Sequence, residues 1–303
     1  MSKATDQPTD CVATFVAGTG RSLSDTHIAQ ALSAAGLRPA RIDWLDPGVA
    51  ADGFFNSGDN PRRLAHGLRV ALAPAPIDVI VQPVAERRKS LLVADMDSTM
   101  IEQECLDELA GCRELRAEIS AITQCAMRGE LDFEAALRAR VALLAGITRE
   151  EISAIVARLT PTVGARTLVA TMRSNGAWTA LVTGGFAPFA DAVAARLGFH
   201  ETRANRLIFF NDALTGDVAS PVLGRAAKRA ALEELRLSRH LPVAATLAVG
   251  DGANDLDMLA AAGLGVAWRA RPILAAAATA RIDHADLTAL LYAQGYRRTD
   301  FVD

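Results

Sequence analysis

The stretch LLVADMDSTMIEQE, from Leu91 to Glu104, places two aspartates directly after an apolar run. Leu91–Ala94 is too short for a helix and too apolar for a loop, so it predicts a buried strand. In open α/β folds, ligands bind at the carboxyl ends of parallel strands. Asp95 and Asp97 would stand at such an end, where their like charges repel and a divalent cation relieves the repulsion. For this stretch alone, a polar turn in which DST caps a helix is the alternative.

Composition limits what kind of protein the chain can form. Its 303 residues suffice for two domains, and 50% hydrophobic with 22% charged residues is typical of globular proteins. The net charge of −3 predicts no general attraction to nucleic acid or to anionic membranes. The first residues hold no apolar signal segment and no apolar run reaches the length of a membrane span, which predicts a cytoplasmic protein. Four cysteines without CxxC spacing and five scattered histidines disfavour a zinc site or a disulfide framework.

The apolar pattern divides the chain into two units. Residues 1–85 predict a small α/β module, with strands at CVATFVAG and DVIVQPV, two helices, and a long loop over DPGVAADGFFNSGDNP. A charged linker, AERRKS, leads into a larger unit of residues 86–303 that begins with the strand at Leu91. Two roles are open for the small module, regulation and formation of a homodimer.

The larger unit predicts an α/β fold with a helical insertion. From about residue 102 to 160 the pattern is helical without a strand-like run. Strands and helices then alternate, with a hairpin at RLIFFNDALTGDVA, and such alternation predicts right-handed βαβ units and a parallel sheet. The insertion therefore follows the first strand and lies over the strand ends, where it can act as a lid.

A second strand end repeats the pattern of the first. In TLAVGDGANDLDML an apolar strand runs into Asp251, followed by Asn254 and Asp255. Together with Asp95 and Asp97, two strand ends then carry four carboxylates. This set predicts a Mg²⁺ site that uses carboxylates and substrate phosphate oxygens, with solvated turns as the alternative.

Two further segments become interesting if they face the same pocket. ALVTGGF ends a strand in Thr183, Gly184 and Gly185, and a hydroxyl beside backbone N–H groups can hold phosphate oxygens, although this tripeptide is also a common turn. Lys228, in GRAAKRAALEEL, is by default a solvated helical lysine.

The inserted helix DFEAALRARVALL carries an arginine on its apolar face. At 100° per residue that face consists of Phe133, Leu137, Val141 and Leu144. Arg140 falls in its middle, whereas Arg138 points away. An arginine on a buried stripe needs an anionic partner, which is either a structural carboxylate or the carboxylate of a substrate held bidentately.

These pieces, in this order, resemble the haloacid dehalogenase superfamily, and within it the phosphoserine phosphatases. DMDST, VTGGF, Lys228 and GDGAND match the four motifs of the superfamily, and ANRL…LTGDV is also similar. The resemblance covers roughly residues 88–290 and implies a Rossmannoid parallel sheet with an inserted all-helical cap. The N-terminal module resembles a small ligand-binding, ACT-like regulatory fold only vaguely. Thr183 departs from the pattern, since serine is usual there.

The resemblance implies a role for each motif residue. Asp95 is the nucleophile that forms an aspartyl-phosphate, and Asp97 is the general acid and later the base. Mg²⁺ is held by Asp95, Asp97 (through its backbone carbonyl) and Asp251, and Asp255 supports the site. The resemblance implies that the phosphoryl group is bound by Thr183, Gly184 and Lys228. It also implies that Asn254 contacts either the phosphoryl group or the rest of the substrate.

The resemblance also implies the substrate. Arg140 and Glu104 match family residues that bind a carboxylate and an α-ammonium group, which describes O-phosphoserine. The implied reaction is hydrolysis of O-phospho-L-serine, the last step of serine biosynthesis, without nucleic-acid or membrane partners. Two alternative functions are open. The first is an enzyme of the same superfamily that acts on another small phosphate ester or transfers phosphate to a second alcohol. The second is a sensor that binds its ligand without turnover. A dehalogenase is disfavoured because Asp97 and Asp251 would be unnecessary.

Overall fold

The computed structural model describes residues 9–85, 87–127, 130–270 and 272–303. Within these ranges the strands form a four-stranded sheet, a six-stranded sheet and a two-stranded hairpin. Among the described helices, none combines the length and the apolar character that crossing a membrane requires.

The N-terminal module is a four-stranded sheet with two helices packed on one face. Its elements in chain order are β1 (Thr9–Ala17), α1 (Asp25–Ala34), β2 (Arg41–Asp46), β3 (Ala50–Ser57), α2 (Pro61–Leu72) and β4 (Ile77–Pro83). The strands are antiparallel in the order β2-β3-β1-β4. Side chains alternate along β1, so that Phe15 packs with Ile28 and Leu68 under the helices while Val16 joins the core of the larger unit. The predicted strands at each end of the module are confirmed.

The long loop predicted over residues 46–61 is wrong. Most of that segment is β3, which pairs with β1 from Thr9↔Ser57 to Val16↔Ala50. Glycine and aspartate are depleted in strands, which is why the segment resembled a loop. Gly53 lies against Leu32, where a Cβ would approach Cδ1 to 3.2 Å, and Asp52 is buried and paired. Both residues are stabilised by contacts with distant parts of the chain.

The larger unit is built on a parallel sheet in the order β12-β11-β10-β5-β6-β7. The first strand, β5 (Leu91–Ala94), is fully buried and lies between β10 and β6. The cap helices are α3 (Cys105–Gly111), α4 (Arg116–Met127), α5 (Phe133–Leu143) and α6 (Arg149–Arg158). The elements that follow are α7 (Ala165–Ser174), β6 (Trp178–Phe186), α8 (Ala187–Leu197), β7 (Glu201–Asn205), β8 (Leu207–Phe210), β9 (Ala213–Val218), α9 (Arg225–Ser238), β10 (Thr246–Gly250), α10 (Leu256–Ala261), β11 (Leu264–Trp268), α11 (Pro272–Ala277), β12 (Ala280–Ile282) and α12 (Ala289–Ala293). The predicted parallel α/β core and the hairpin, β8–β9, are confirmed.

The cap is packed against the hairpin. Asp132 caps α5 by accepting a hydrogen bond from the Ala135 amide (2.7 Å), which sets the start of the helix that carries Arg140. Gly216 of β9 lies so close to α5 that a Cβ would approach the Ala142 carbonyl oxygen to 3.2 Å. The cap therefore rests on the hairpin on one side and faces the strand ends on the other.

A buried arginine joins the two units. Arg87 pairs with both carboxylate oxygens of Asp52 at 2.7 Å. It also donates to Thr14 Oγ1 (2.8 Å) and to the carbonyl oxygens of Tyr292 (3.0 Å) and Ala293 (2.7 Å). These carbonyls belong to the last turn of α12, where free acceptors need donors. We propose that the division between the units lies near residue 85, as the sequence predicts, with Arg87 fastening one unit to the other.

Replacing Arg87 by alanine should destabilise the whole chain. The change leaves the Asp52 carboxylate buried without its cation, which costs about 3–5 kcal/mol when one partner of a buried pair is removed. Urea unfolding followed by circular dichroism measures this free energy. Arg38, which is exposed, provides the control, and its replacement by alanine should change the free energy of unfolding by less than about 0.5 kcal/mol. Equal effects of the two changes would contradict the assigned role of Arg87.

Candidate active site

Three adjacent strands of the parallel sheet end in polar residues at one edge. Asp95 follows β5, Asp251 follows β10, and Thr183 lies near the end of β6. Ala94 is in register with Val249 on one side and with Leu181 on the other. Parallel strands in register bring their carboxyl ends together, as the sequence predicts.

The acidic residues at these ends form a tight cluster. Asp95, Asp251 and Asp255 each offer an oxygen, and these oxygens lie within 4.8 Å of one another. Burial raises the pKa of Asp251 to about 6, helped by the charge on Asp95. The Thr99 hydroxyl donates to Asp251 Oδ1 (3.0 Å), so the DST segment orients an acidic residue of the second strand end. Such a cluster of oxygens needs positive charge nearby.

Lys228 supplies one positive charge from below the cluster. Its Nζ lies 2.6 Å from Asp95 Oδ1 and 2.7 Å from Asp255 Oδ1, and its side chain is 0% exposed. Burial lowers the pKa of Lys228, but Asp255 and Asp95 outweigh that effect and raise it above the usual value. The solvated helical lysine expected by default is therefore excluded, because α9 directs this side chain into the site.

Asp97 stands apart from the cluster, on the cap side of the strand end. Its Oδ1 accepts a hydrogen bond from the Cys105 amide (3.1 Å) at the start of α3. Burial, with the nearby charges of Glu104 and Asp95, raises the pKa of Asp97 to about 7. A carboxyl group with this pKa can give and take a proton near neutral pH.

Two glycines allow the carboxylates to approach the backbone. A Cβ on Gly250 would lie 2.4 Å from Asp255 Cγ, and a Cβ on Gly185 would lie 2.8 Å from Asp97 Oδ2. Separations this short are not tolerated, so any larger residue would displace the two aspartates. Gly185 of VTGGF and Gly250 of AVGDG are thus required for close packing.

The loop after β6 is held in shape by Asn205. Its Nδ2 donates to the Gly184 carbonyl oxygen (2.8 Å), and its Oδ1 accepts from the Leu223 amide (2.7 Å). The Thr183 hydroxyl accepts from the Gly185 amide (2.9 Å). Thr183 and Gly184 are therefore fixed in position at the edge of the site.

A cleft of about 580 Å³ lies between the strand ends and the cap. Eight of the ten predicted site residues line it, namely Asp95, Asp97, Glu104, Arg140, Thr183, Gly184, Asp251 and Asn254. The other two, Lys228 and Asp255, are buried beneath its floor. The ten residues, which lie between positions 95 and 255 of the sequence, meet at one place.

Arg140 enters the cleft from the cap. Its side chain is half-buried, and it donates to the Ala136 carbonyl oxygen (3.0 Å) and to Thr123 Oγ1 (3.4 Å). In the part of the chain that the structure describes, no carboxylate lies within ion-pair distance of it. Burial lowers the pKa of Arg140, against the attraction of Asp107 and Glu104. The alternative of a structural salt bridge is therefore not supported.

Several residues of the site were not singled out from the sequence. Phe133 and Thr123 line the cleft, Thr99 holds Asp251, and Asn205 holds the phosphate-side loop. Phe133 was placed on the buried face of α5, yet it is 40% exposed and closes the cleft instead. For Thr99 the signal was its position in DST, and for Asn205 it was the segment ANRL.

A comparison with family models identifies the fold. The model described as haloacid dehalogenase-like hydrolase matches residues 92–260, more than half of the chain. The chain belongs to this family. The strand ends, Lys228 and the cluster of aspartates all fall within the matched range.

Individual members of the family support the same fold. A phosphoserine phosphatase of Streptomyces coelicolor is 39% identical over 83% of this chain, which spans only 62% of that relative's length. A solved haloacid dehalogenase family hydrolase from Salmonella enterica serovar Typhi superposes with a TM-score of 0.84 at 27% identity, over 94% of this chain and 98% of its own. A structure described as a phospho-aspartyl intermediate analogue of phosphoserine phosphatase is 38% identical, with a TM-score of 0.63 over 68% of this chain and 98% of its own.

The aspartate cluster fits a hard divalent cation. Its donors are all carboxylate oxygens, which Mg²⁺ prefers. Asp95 Oδ1 is buried and has no aligned hydrogen-bond donor among the described residues, since Lys228 reaches it only as an ion pair. The Asp97 carboxylate is outside the cluster.

Proposed function

We propose that the chain is a phosphoserine phosphatase that hydrolyses O-phospho-L-serine to L-serine and phosphate, the last step of serine biosynthesis. The observation that carries the proposal is Arg140, a half-buried guanidinium without an ion-pair partner among the described residues, in the same cleft as Asp95 and Asp97. One end of the cleft can react with a phosphate group and the other can bind a carboxylate. A substrate that carries both groups is a phosphorylated amino acid.

Asp95 is proposed as the nucleophile. Its carboxylate attacks phosphorus, and the bond between phosphorus and the serine oxygen breaks, giving an aspartyl-phosphate. Lys228 lowers the repulsion between this carboxylate and the substrate phosphate, and the Thr183 hydroxyl and Gly184 amide bind the phosphoryl oxygens. Asn254, at the cleft wall, contacts the phosphoryl group or the serine moiety.

Asp97 is proposed as the general acid and base. It gives its proton to the departing serine oxygen, and in the second step it takes a proton from the water that attacks the aspartyl-phosphate. Its raised pKa and its place on the cap side, where the leaving group would lie, support this role.

Mg²⁺ is the proposed cofactor. Asp95 and Asp251 would hold it together with the Asp97 backbone carbonyl, and Asp255 would support it through its contact with Lys228. When bound, the ion supplies charge stabilisation for the transferring phosphoryl group.

The amino-acid end of the substrate is assigned to the cap. Arg140 is proposed to bind the carboxylate bidentately, and Glu104, which lines the cleft and accepts a hydrogen bond from Ser98 (2.6 Å), is proposed to bind the α-ammonium group. A second candidate is an enzyme of the same family acting on another small phosphate ester. The cytoplasmic location and the homodimer stay predictions.

Replacing Asp95 by asparagine should abolish turnover while the fold survives, because the amide keeps the shape of the carboxylate but is no nucleophile. Phosphate release measures the loss, and circular dichroism checks the fold. Hydroxylamine should trap an acyl-phosphate from the parent protein only. Failure to detect a phospho-enzyme in rapid-quench experiments would contradict the covalent route.

Chelation should stop phosphate release, and added Mg²⁺ should restore it. Ca²⁺ should restore it poorly, because its bonds are longer and its coordination number is higher, which misplaces the attacking oxygen. The rates are compared in metal-free buffer, with EDTA, and with each ion. Equal rates with both ions, or full activity without metal, would show that the proposed site is wrong.

Replacing Arg140 by alanine should cost O-phosphoserine about 2–5 kcal/mol of transition-state stabilisation, the range for loss of one partner of a buried charge pair. Lysine at this position should recover only part of the loss, since one ammonium cannot reproduce the guanidinium fork. Phosphoethanolamine, which lacks the carboxylate, should lose much less. The ratio of kcat/KM for the two substrates measures the effect.

Arg138 is the matched control on the same helix. It pairs with Glu134 (2.7 Å) and donates to the Val218 carbonyl oxygen (2.9 Å), away from the cleft. Its replacement by alanine should leave the ratio between the two substrates unchanged. If Arg140→Ala slows both substrates equally, the arginine does not recognise the carboxylate, and the assignment to serine phosphate loses its support.

A further inference from the structure

A second cleft lies between α2 of the N-terminal module and the α11–β12 edge of the parallel sheet. Its volume is about 710 Å³, and it shares no lining residue with the active-site cleft. It continues into a hollow of about 310 Å³ that is also lined by His66, Arg69 and Arg281. The polar residues of its wall are Asn60, Arg62, Arg63, His66, Arg69, Thr279 and Arg281.

The basic residues are gathered there by the period of α2. Arg62, His66 and Arg69 are four and three residues apart, which places them on one face of the helix, beside Arg63. The opposite face, which includes Leu64 and Leu68, is buried in the module. The basic face is therefore turned outward because the apolar face is held by the core.

The positive charge in this cleft is not balanced by its acidic neighbours. Asp283 pairs with Arg281 at 2.5 Å. The Asp78 carboxylate is occupied by the backbone amides of residues 283–285, at 2.8–3.0 Å. In the described ranges Arg63 has no ion-pair partner. Among the described residues, Arg281 alone of the four arginines therefore forms an ion pair with a carboxylate.

Arg69 is less exposed than Arg62 and Arg63. It is half-buried, and its guanidinium donates to the Val79 carbonyl oxygen at 3.5 Å. Burial, together with the like charges of Arg281 and Arg62, lowers its pKa, and Asp283 and Asp78 offset this only in part. Arg62 donates to the Ala276 carbonyl oxygen and so extends its charge across the cleft towards α11.

We propose that this cleft binds a small molecule that carries phosphate groups. One guanidinium group can donate two parallel hydrogen bonds to the oxygens of a phosphate. Four arginines line this concave surface. The other wall is made of small apolar residues, namely Ala270, Ala275, Ala276, Ala278 and Ala280, which leave room for an organic part beside the anion. The volume falls within the range of small-molecule pockets.

Binding of inorganic pyrophosphate to the full-length protein tests the proposal. Isothermal titration is carried out in metal-free buffer at low salt, since exposed charges are screened. Replacement of Arg63 or of Arg69 by glutamine should weaken binding by about tenfold, the loss of one charge-assisted hydrogen bond. Arg38→Gln, which removes the same charge from an exposed loop of the module outside the cleft, should leave it unchanged.

The difference in pyrophosphate affinity between the variants reports on this cleft alone. Any pyrophosphate that binds at the active site does so equally in all of them. Arg63 is exposed, so its replacement should preserve the thermal unfolding curve and keep the comparison valid. Equal affinities for Arg63→Gln and Arg38→Gln would overturn the proposal, as would a parent protein without saturable binding. The test does not involve turnover, so its result is independent of the proposed reaction.

Discussion

The repulsion among carboxylates at the end of the central strands is the constraint on which the rest of the site depends. Asp95, Asp251 and Asp255 are held within 4.8 Å of one another, where ionised oxygens destabilise the folded chain. Lys228 offsets part of this from a fully buried position, 2.6 Å and 2.7 Å from two of them. The remaining negative charge favours a cation at the cluster, and we propose that a phosphate group binds through that cation.

In the proposed function, the cap determines which phosphate ester is bound. In this proposal, the strand ends and Lys228 bind only the phosphoryl group, which all phosphate esters share. Arg140 is carried on a helix whose start is fixed by Asp132 and whose flank rests on the hairpin at Gly216. A guanidinium positioned on a packed helix is better defined than one on a loop, which favours selection between similar small molecules.

The N-terminal module is attached firmly to the catalytic unit. Arg87 connects its sheet to the last turn of α12, and the Asp78 carboxylate accepts amides from the loop after β12. These contacts bury charged groups that are fully satisfied, which stabilises the interface and fixes its geometry. These contacts fix the position of the basic face of α2 relative to the edge of the parallel sheet. The cleft between them is therefore formed by the packing of the two units.

The sequence by itself determined the elements whose signal is local. Short apolar runs that end in DMD and GDG predicted the strands and the acidic residues at their ends, and the period of α5 predicted that Arg140 enters an apolar face. Parallel topology then required these ends to converge, so most of the site followed from pattern and resemblance together. Only the tertiary structure decided that Lys228 is fully buried. The helical period of the sequence does not show whether a lysine side chain points into a site or into solvent. The tertiary structure likewise decided that the segment around Asp52 is a strand, since the partner that makes a buried aspartate tolerable, Arg87, lies 35 positions away. In both cases the free-energy cost of burying a charged side chain is offset by contacts with residues far away in the sequence. A local sequence pattern does not show such contacts.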